Sequence, residues 1–140
     1  MVIDTSAIMA ILTREPTADQ LVAAVEADVT RLVSAATVVE AALVLLGRYG
    51  EAGEPQLDRL LRGIGAEIVP VGEEQANLAR DAALRFGRGR HPAGLNFGDC
   101  FSYALSVARD EPLLFVGDDF SQTDVKVSGW STPICDVRGE

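Results

Sequence analysis

Several carboxylates in this chain stand directly after apolar strands or inside apolar helical patterns. Asp4 follows the apolar run VI, and the aspartate pair 118–119 follows the run PLLFVG. Asp99 opens the helical pattern DCFSYALSVA, and Glu40 lies inside another helical pattern. Carboxylate groups bind hard divalent cations and serve as general acids and bases. The spacing of these acids therefore indicates a metal or acid–base site, provided that the fold brings them together.

Glu40 is the acid that is hardest to place on an ordinary surface. It is the only charged residue between Arg31 and Arg48, in the run SAATVVEAALVLLG, and most residues at helical spacing from it are apolar. Burying a carboxylate is costly unless it is paired or bound to a metal. The residues alone leave two alternatives: Glu40 faces a cation, or it reaches solvent near the start of its helix.

The other acids also have ordinary structural interpretations. Asp4 is a good N-cap for the helix that follows it, and Asp99 is a favourable charge at a helix N-terminus. Asp118 and Asp119 suit a polar turn that leaves a buried strand. Each interpretation is sound for a single residue, so the functional prediction depends on whether the acids converge.

The elements that must position these acids alternate between strand and helix. The predicted strands are 1–3, 31–34, 67–71, 112–117 and 132–137. The predicted helices are 6–15, 17–28, 35–50, 53–65, 73–89 and 97–111. This alternation predicts a parallel sheet with helices on both faces. Ligands of such sheets bind beyond the carboxyl ends of the strands, where we expect the acids to meet in one crevice.

The type of ligand narrows the choice of metal. Several carboxylates in one place cannot all stay ionised without a counter-ion. Oxygen ligands with no histidine or cysteine nearby select Mg²⁺ or Mn²⁺ over Zn²⁺. His91 is the only histidine, so a histidine-based zinc site or a Ser-His-Asp triad is not expected. The chain has no G-x-x-x-x-G-K-[ST] loop and no G-x-G-x-x-G after its first strand, so nucleotide binding of those kinds is not expected.

The charge distribution is uneven. The net charge is −9, which argues against a broad basic surface that coats nucleic acid. All but one of the 12 basic residues are arginines, which suit bidentate contacts to phosphate. No acid occurs from Ala82 to Gly98, a segment that holds Arg85, Arg88, Arg90 and His91. We predict a local patch that faces phosphate; the alternative is that these arginines compensate a helix dipole.

Composition also suggests where the protein works. The two cysteines, Cys100 and Cys135, show no C-x-x-C or zinc spacing. No stretch approaches the ~18 uninterrupted apolar residues of a membrane span. The first residues, MVIDTSAIMA, lack the basic segment of a signal peptide. A single domain over residues 1–140 in a reducing cytoplasm, with no membrane contact, is the expectation.

Four blocks together resemble a known family. The opening VIDTSA, Glu40 in its apolar helix, LNFGDCFSYALS and LLFVGDDFSQTD resemble PIN-domain ribonucleases, and more narrowly the VapC toxins of bacterial toxin–antitoxin pairs. The resemblance covers essentially the whole chain in order. It implies a three-layer α/β PIN-like domain, with a central four- to five-stranded parallel sheet flanked by helices.

The resemblance also implies an activity and its partners. The expected function is a Mg²⁺- or Mn²⁺-dependent endoribonuclease that cuts RNA, such as tRNA or rRNA, and inhibits translation. A small VapB-like antitoxin is expected to neutralise it. Family members usually form homodimers, and the apolar segments AIMAIL and AALVLLGRYG are compatible with a dimer face or with core packing.

The family's site residues carry over by position. The implied catalytic acids are Asp4, Glu40, Asp99 and Asp119. Of these, Asp4, Asp99 and Asp119 are the implied metal ligands, with Asp118 as the alternative for the fourth acid. Thr5 and Ser6 are expected to support the ligands by hydrogen bonding. Arg85, Arg88, Arg90 and His91 are expected to contact the RNA backbone. The chain departs from the T-x-D-x-x-F pattern of other PIN domains, because Gly117 falls where that pattern has its acid, three residues before Phe120.

Three other functions remain as alternatives. A phosphatase of the haloacid dehalogenase type also has an aspartate after its first strand, but needs a second one two residues later, where this chain has Ser6. A receiver-like phospho-acceptor domain would need a lysine near the acids, and Lys126 is the only lysine. The third is a non-catalytic binding module on the same fold.

Overall fold

The computed structural model describes residues 1–129. The predicted strand at 132–137 and Cys135 lie outside the described residues. The strands are β1 (Val2–Ile3), β2 (Leu32–Ser34), β3 (Glu67–Val69) and β4 (Leu113–Leu114). The helices are α1 (Thr5–Leu12), α2 (Ala18–Ala27), α3 (Ala35–Tyr49), α4 (Glu54–Gly63), α5 (Glu73–Phe86) and α6 (Phe97–Arg109). Short 3₁₀ helices span Gly50–Gly53 and Phe120–Gln122.

The four described strands form one parallel sheet in the order β3-β2-β1-β4. The chain moves outward from β1 to β2 and β3, and then crosses back to place β4 on the other side of β1. The topological switch point, where parallel α/β sheets open a crevice, therefore lies between β1 and β4. Asp4 follows β1 and residues 118–119 follow β4, so both acidic segments lie beside this crevice.

Helices cover both faces of the sheet. Successive side chains of a strand point to opposite faces, and the two residues of β1 accordingly belong to two different cores. Val2 packs with Leu113 and residues of α5 and α6 on one face. Ile3 packs with Leu114 and residues of α1 to α4 on the other. The predicted parallel α/β architecture in three layers is confirmed.

The strands are shorter than the sequence pattern predicts. The apolar run 112–117 contributes only Leu113–Leu114 to the sheet. After Phe115 the chain leaves the sheet: the Val116 N–H donates to Ser6 Oγ at 2.9 Å, and Gly117 has φ of +100°. That backbone conformation strongly favours glycine. It directs the chain away from β4 into the acidic segment 118–119.

Among residues 1–129, no helix is both long enough and apolar enough to cross a membrane.

Candidate active site

Asp4 is the best-supported acid of the crevice. It is buried, at 2% exposure, and its side chain caps α1 by accepting the Ser6 N–H at 3.0 Å. The same oxygen, Oδ2, accepts the Ser6 hydroxyl at 2.7 Å, and Oδ1 accepts the Ser102 hydroxyl at 2.6 Å. The N-cap interpretation of Asp4 is therefore correct, and it is compatible with a functional role, because the bonds hold the carboxylate in one orientation.

Two hydroxyl groups connect Asp4 to other elements of the site. Ser102 Oγ lies 3.3 Å from Thr37 Oγ1 on α3. Because Ser102 donates its one hydroxyl hydrogen to Asp4, Thr37 is the donor in this second bond. Ser6 Oγ similarly donates to Asp4 and accepts from the Val116 N–H after β4. One buried carboxylate thus joins α1, α3, α6 and the end of β4.

Ser102→Ala tests this support directly. The change leaves one oxygen of a buried carboxylate without its donor, and we expect divalent-metal affinity to fall about 10- to 100-fold, the usual cost of losing a hydrogen bond to a metal ligand. Isothermal titration with Mn²⁺ measures the effect. Ser106→Ala is the matched control, because Ser106 lies one turn along α6, is equally buried, and donates to Glu111 O at 2.6 Å instead. Equal affinities for both variants would contradict the assignment.

Asp99 opens α6 through a reciprocal cap. Its backbone N–H donates to Asn96 Oδ1 at 2.9 Å, and its Oδ2 accepts the Asn96 N–H at 3.0 Å. One carboxylate oxygen thus serves the cap, and no hydrogen bond from the described residues is recorded for the other. Burial, opposed by the Asn96 hydrogen bond and reinforced by repulsion from Asp4, Asp119 and Glu40, raises the pKa of Asp99 to about 6. Acids from four segments of the chain therefore act on one another.

The raised pKa of Asp99 predicts a pH-dependent affinity for metal. We expect Mn²⁺ affinity to fall as the pH drops through about 6, because a proton then competes for the Asp99 carboxylate. Titrations between pH 5 and 8 measure this midpoint. Asp99→Asn, whose amide oxygen can still accept the Asn96 N–H, should abolish the dependence along with most of the affinity.

The metal-free protein should show the matching effect on stability. The folded-state pKa of Asp99 lies above the ordinary value of 3.8, so the folded state binds more protons between those two values. Its contribution to the free energy of unfolding falls as pH rises through that window. At pH 7.5 in EDTA we therefore expect the free energy of unfolding of Asp99→Asn to exceed that of the unchanged protein by about 1 kcal/mol. The effect is this small because solvent screens the charge of a partly exposed group. Unchanged or lower stability would contradict this origin of the shift.

Glu40 reaches the crevice through a gap that a glycine leaves. It lies on α3 and is half-buried, and its carboxylate occupies the space where a Cβ on Gly98 would stand. Gly98 is the second residue of α6, directly before Asp99. The side chain of Glu40 therefore points toward the start of α6 and toward Asp99. The outer side of α3 is apolar and exposed, as at Leu43, so the helix does not bury Glu40 on every side.

Both candidates for the fourth acid are exposed in the segment after β4. Asp119 precedes Phe120, a buried ring 5.2 Å from that of Phe115, which anchors the segment to the core. The charge of Asp119 contributes to the raised pKa of Asp99. The Asp118 carbonyl accepts a hydrogen bond from Ser121. These contacts favour Asp119 as the acid that faces the crevice.

The oxygen atoms of the candidate site fit a hard divalent cation. Asp4, Glu40, Asp99 and Asp119 provide carboxylates, and the buried Thr5 Oγ1 beside Asp4 has no hydrogen-bond partner among the described residues. The gap at Gly98 admits a further carboxylate. Within residues 1–129, no three Asp, Glu, His or Cys side chains already form a group close enough to share an ion. Like charges repel one another unless a cation lies between them.

A model of the PIN domain family matches residues 1–126. The chain belongs to the PIN-domain family. It is 51% identical over 125 residues to ribonuclease VapC30 of Mycobacterium tuberculosis, covering 89% of this chain and 95% of that relative. Ribonuclease VapC of Mycolicibacterium smegmatis is also 51% identical over 125 residues, covering 89% of this chain and 97% of the relative. These relatives place it among the VapC members of the family, as the sequence motifs predict.

A solved structure supports the PIN fold independently. The crystal structure of Mycobacterium tuberculosis VapC20, described as a sarcin–ricin loop cleaving toxin, superposes with a TM-score of 0.73. The match covers 89% of this chain and 95% of VapC20, at 18% identity. The three-layer PIN fold is therefore confirmed. VapC nucleases generally depend on a divalent metal, pair with VapB antitoxins and bind RNA.

The basic segment of this PIN domain divides into two parts. Arg85 is already engaged: it donates to Asp81, to Asp124 and to the Tyr103 hydroxyl, at 2.9–3.2 Å. His91 accepts the Ala93 N–H at Nδ1, and its ring packs against Phe86 with centroids 5.2 Å apart. Both residues therefore hold the segment in place.

The other two basic residues remain available. Arg88 and Arg90 are exposed, and within residues 1–129 neither forms an ion pair. They line a cleft beside the start of α6, together with Asn96 and Phe97.

Sequence reasoning missed three residues that organise the site. Ser102 and Thr37 belong to apolar helical patterns, where small polar residues attract little attention. Gly98 stands next to Asp99 in the motif FGD, and a glycine in the first turn of a helix is a signal of close packing. Ser102 is three residues after Asp99, a spacing that places two side chains on one side of a helix. That spacing could have identified Ser102.

Proposed function

We propose that this chain is a divalent-metal-dependent endoribonuclease and the toxin of a VapBC toxin–antitoxin pair. The observation that carries the proposal is the convergence of the acids at the start of α6: Ser102 of this helix donates to Asp4, and the Glu40 carboxylate lies against Gly98, directly before Asp99. The relatives that are about half identical in sequence are ribonucleases by name. The RNA would be tRNA or rRNA, and its cleavage would inhibit translation.

The acids have separate roles in this proposal. Asp4, Asp99 and Asp119 would hold Mg²⁺ or Mn²⁺, with Asp118 as the alternative to Asp119. When bound, such an ion polarises the scissile phosphate and lowers the pKa of a water molecule. Glu40 would orient that water and accept its proton from across the Gly98 gap. Ser6 and Ser102 keep the Asp4 carboxylate in place, and the hydroxyl of the next residue, Thr5, has no partner among residues 1–129.

RNA would approach from the side of the basic segment. Arg88 and Arg90 are exposed beside the start of α6 and are proposed to bind backbone phosphates. Arg85 and His91 would act mainly by fixing the segment that carries them, because Arg85 donates to Asp124 and His91 Nδ1 accepts the Ala93 N–H. This division refines the expectation that all four contact RNA.

Two protein partners belong to the proposal. A small VapB-like antitoxin would block the crevice, and a second copy of the chain would form a homodimer. The segment AIMAIL is core, because Ala7, Ile8, Met9 and Ala10 are buried. The exposed side of α3, with Val39, Leu43 and Leu46, is the apolar surface that remains for a partner. A cytoplasmic location stays a prediction.

The alternatives are less favoured. A haloacid-dehalogenase-like phosphatase needs a second aspartate two residues after the first, and Ser6 at that position is bonded to Asp4 and to the Val116 N–H. A non-catalytic module would need Asp4 only as a helix cap, and it would not explain why Glu40 also approaches the start of α6 beside Asp99. These contacts, together with the VapC relatives, favour the nuclease.

Removal of the metal tests the proposal. Purified protein incubated with structured RNA is expected to cut it in the presence of Mn²⁺ or Mg²⁺. With excess EDTA the rate should fall at least 100-fold, because the scissile phosphate then lacks the cation that polarises it. Gel analysis of the fragments measures the rate, and return of activity on adding Mn²⁺ controls for unfolding. Cutting that persists in EDTA, or release of phosphate from a small phosphoester without RNA cutting, would contradict the proposal.

A further inference from the structure

A cleft lies beside the proposed active site, on the side of α6 that faces α5. Its volume is about 590 Å³. Its floor is apolar and includes Ala79, Ala83 and Phe101. Its edges carry Arg80, Arg88 and Arg90, and no acid among residues 1–129 lines it. In a chain with a net charge of −9, a cleft to which the described residues contribute three arginines and no carboxylate is a local reversal of charge.

Phe97 stands at the edge of this cleft. Its side chain is 82% exposed, although it is a large apolar ring. It contacts Phe101 edge to face, with ring centroids 4.9 Å apart, so the pair forms an aromatic surface at the start of α6. Among residues 1–129, no hydrophobic core explains its position, because Phe97 belongs to neither of the two buried clusters. An exposed aromatic ring beside arginines is the arrangement on which single-stranded nucleic acids stack their bases.

The cleft and the acids share the first turn of α6. Phe97 is the first residue of α6, Gly98 borders Glu40, and Asp99 is the third. Helical residues that are two positions apart, such as Phe97 and Asp99, are separated by about 3 Å along the axis and about 200° around it. An RNA strand that crosses the N-terminus of α6 would therefore meet Asp99 on one side of the helix and Phe97 on the other. The positive end of the α6 dipole favours phosphate at the crossing.

From this geometry we infer that the cleft binds an unpaired nucleotide of the RNA substrate, adjacent to the scissile phosphate. Its base stacks on Phe97, and its phosphates contact Arg88 and Arg90. The inference rests on the proposed ribonuclease function and adds a subsite to it. Selectivity for unpaired RNA follows, because a base that is paired within a helix cannot present its face to the ring. The arginines and the absence of acids favour a nucleotide over an apolar peptide as the occupant.

Binding and stacking can be measured without cleavage. The probes are single-stranded RNA octamers in which one 2-aminopurine is moved from position to position, and the protein carries Asp4→Asn, in EDTA. We expect quenching of 2-aminopurine at one or two positions. Phe97→Ala should abolish the quenching and weaken binding about tenfold, whereas Phe97→Trp should retain both. Tyr49→Ala is the matched control, because Tyr49 is another exposed aromatic residue, at the far end of α3.

The phosphate contacts have a different signature. Arg88→Gln should lower the slope of log affinity against log salt concentration by about 0.7, the value for one phosphate on a single strand, while quenching persists. An unchanged slope would overturn the assignment of Arg88.

Parallel cleavage of structured RNA by protein with native Asp4 separates the two proposals. If RNA is cut but Phe97→Ala changes neither affinity nor quenching, the subsite is wrong and the ribonuclease stands. If RNA is neither cut nor bound, both fail.

Discussion

Gly98→Ala is expected to reduce RNA cleavage about 100-fold while leaving the protein folded. A Cβ at this position would overlap the carboxylate of Glu40. The overlapping atoms are the far end of a flexible side chain, so Glu40 can rotate away at little cost in stability. Alanine is also a better helix former than glycine by up to about 1 kcal/mol. Activity and stability should therefore respond in opposite ways, which thermal unfolding and cleavage rates measure side by side.

Two further variants make the Gly98 result specific. Gly47→Ala is the control, because this glycine also lies in a helix and nothing stands within 4 Å of its missing Cβ. If Gly98 acts only by leaving room for Glu40, Glu40→Gln combined with Gly98→Ala should be no less active than Glu40→Gln alone. Additive losses would show that Gly98 has another role, such as the close approach of RNA to the helix end.

The convergence of the acids could be predicted because it depends on topology. Parallel strands place their carboxyl ends at one edge of the sheet, so Asp4 after β1 and the acids after β4 had to lie near each other once the strands were recognised. Asp99 and Glu40 follow from the same rule, since their helices begin at that edge. Local propensity alone would have left Asp4 as a plain helix cap, which it also is.

The supporting contacts could not be predicted because they join residues far apart in the chain. Ser102 and Asp4 are 98 residues apart, and no periodicity indicates that their side chains meet. Arg85 is bound by Asp124, 39 residues later, which only the packing of the loop after β4 brings within reach. The sequence pattern therefore showed a uniform basic segment, whereas tertiary contacts separate its engaged residues from Arg88 and Arg90.

The length of β4 shows a similar limit. The run PLLFVG has the composition of a six-residue strand, but the Val116 N–H bonds to a side chain instead of a neighbouring strand. Ser6 thus ends the strand early, and the same hydroxyl orients Asp4. The Ser6 hydroxyl therefore both shortens β4 and orients the Asp4 carboxylate. The hydrophobic pattern of the sequence does not indicate this contact.

Asp4→Asn is expected to lower cleavage about 100- to 1,000-fold and to abolish tight Mn²⁺ binding, with a melting temperature close to that of the unchanged protein. The size follows from the loss of one charged ligand, worth several kcal/mol in the transition state at about 1.4 kcal/mol per factor of ten. The fold should persist because the hydrogen-bond network can adapt. The asparagine oxygen can accept from Ser6, and its amide can donate to Ser102, whose hydroxyl then turns to donate to Thr37.

Asp58→Asn is the matched control for charge, because Asp58 is exposed on α4, away from the crevice. Cleavage rates, Mn²⁺ titration and thermal unfolding of the two variants separate loss of the ligand from loss of the fold. Cutting that survives Asp4→Asn within a factor of a few would remove Asp4 from the metal site and leave it as the cap of α1. A large fall in melting temperature would instead mean that the hydrogen bonds from residue 4 through Ser102 to Thr37 cannot reverse their direction. The Asp4 charge would then be needed for the fold itself.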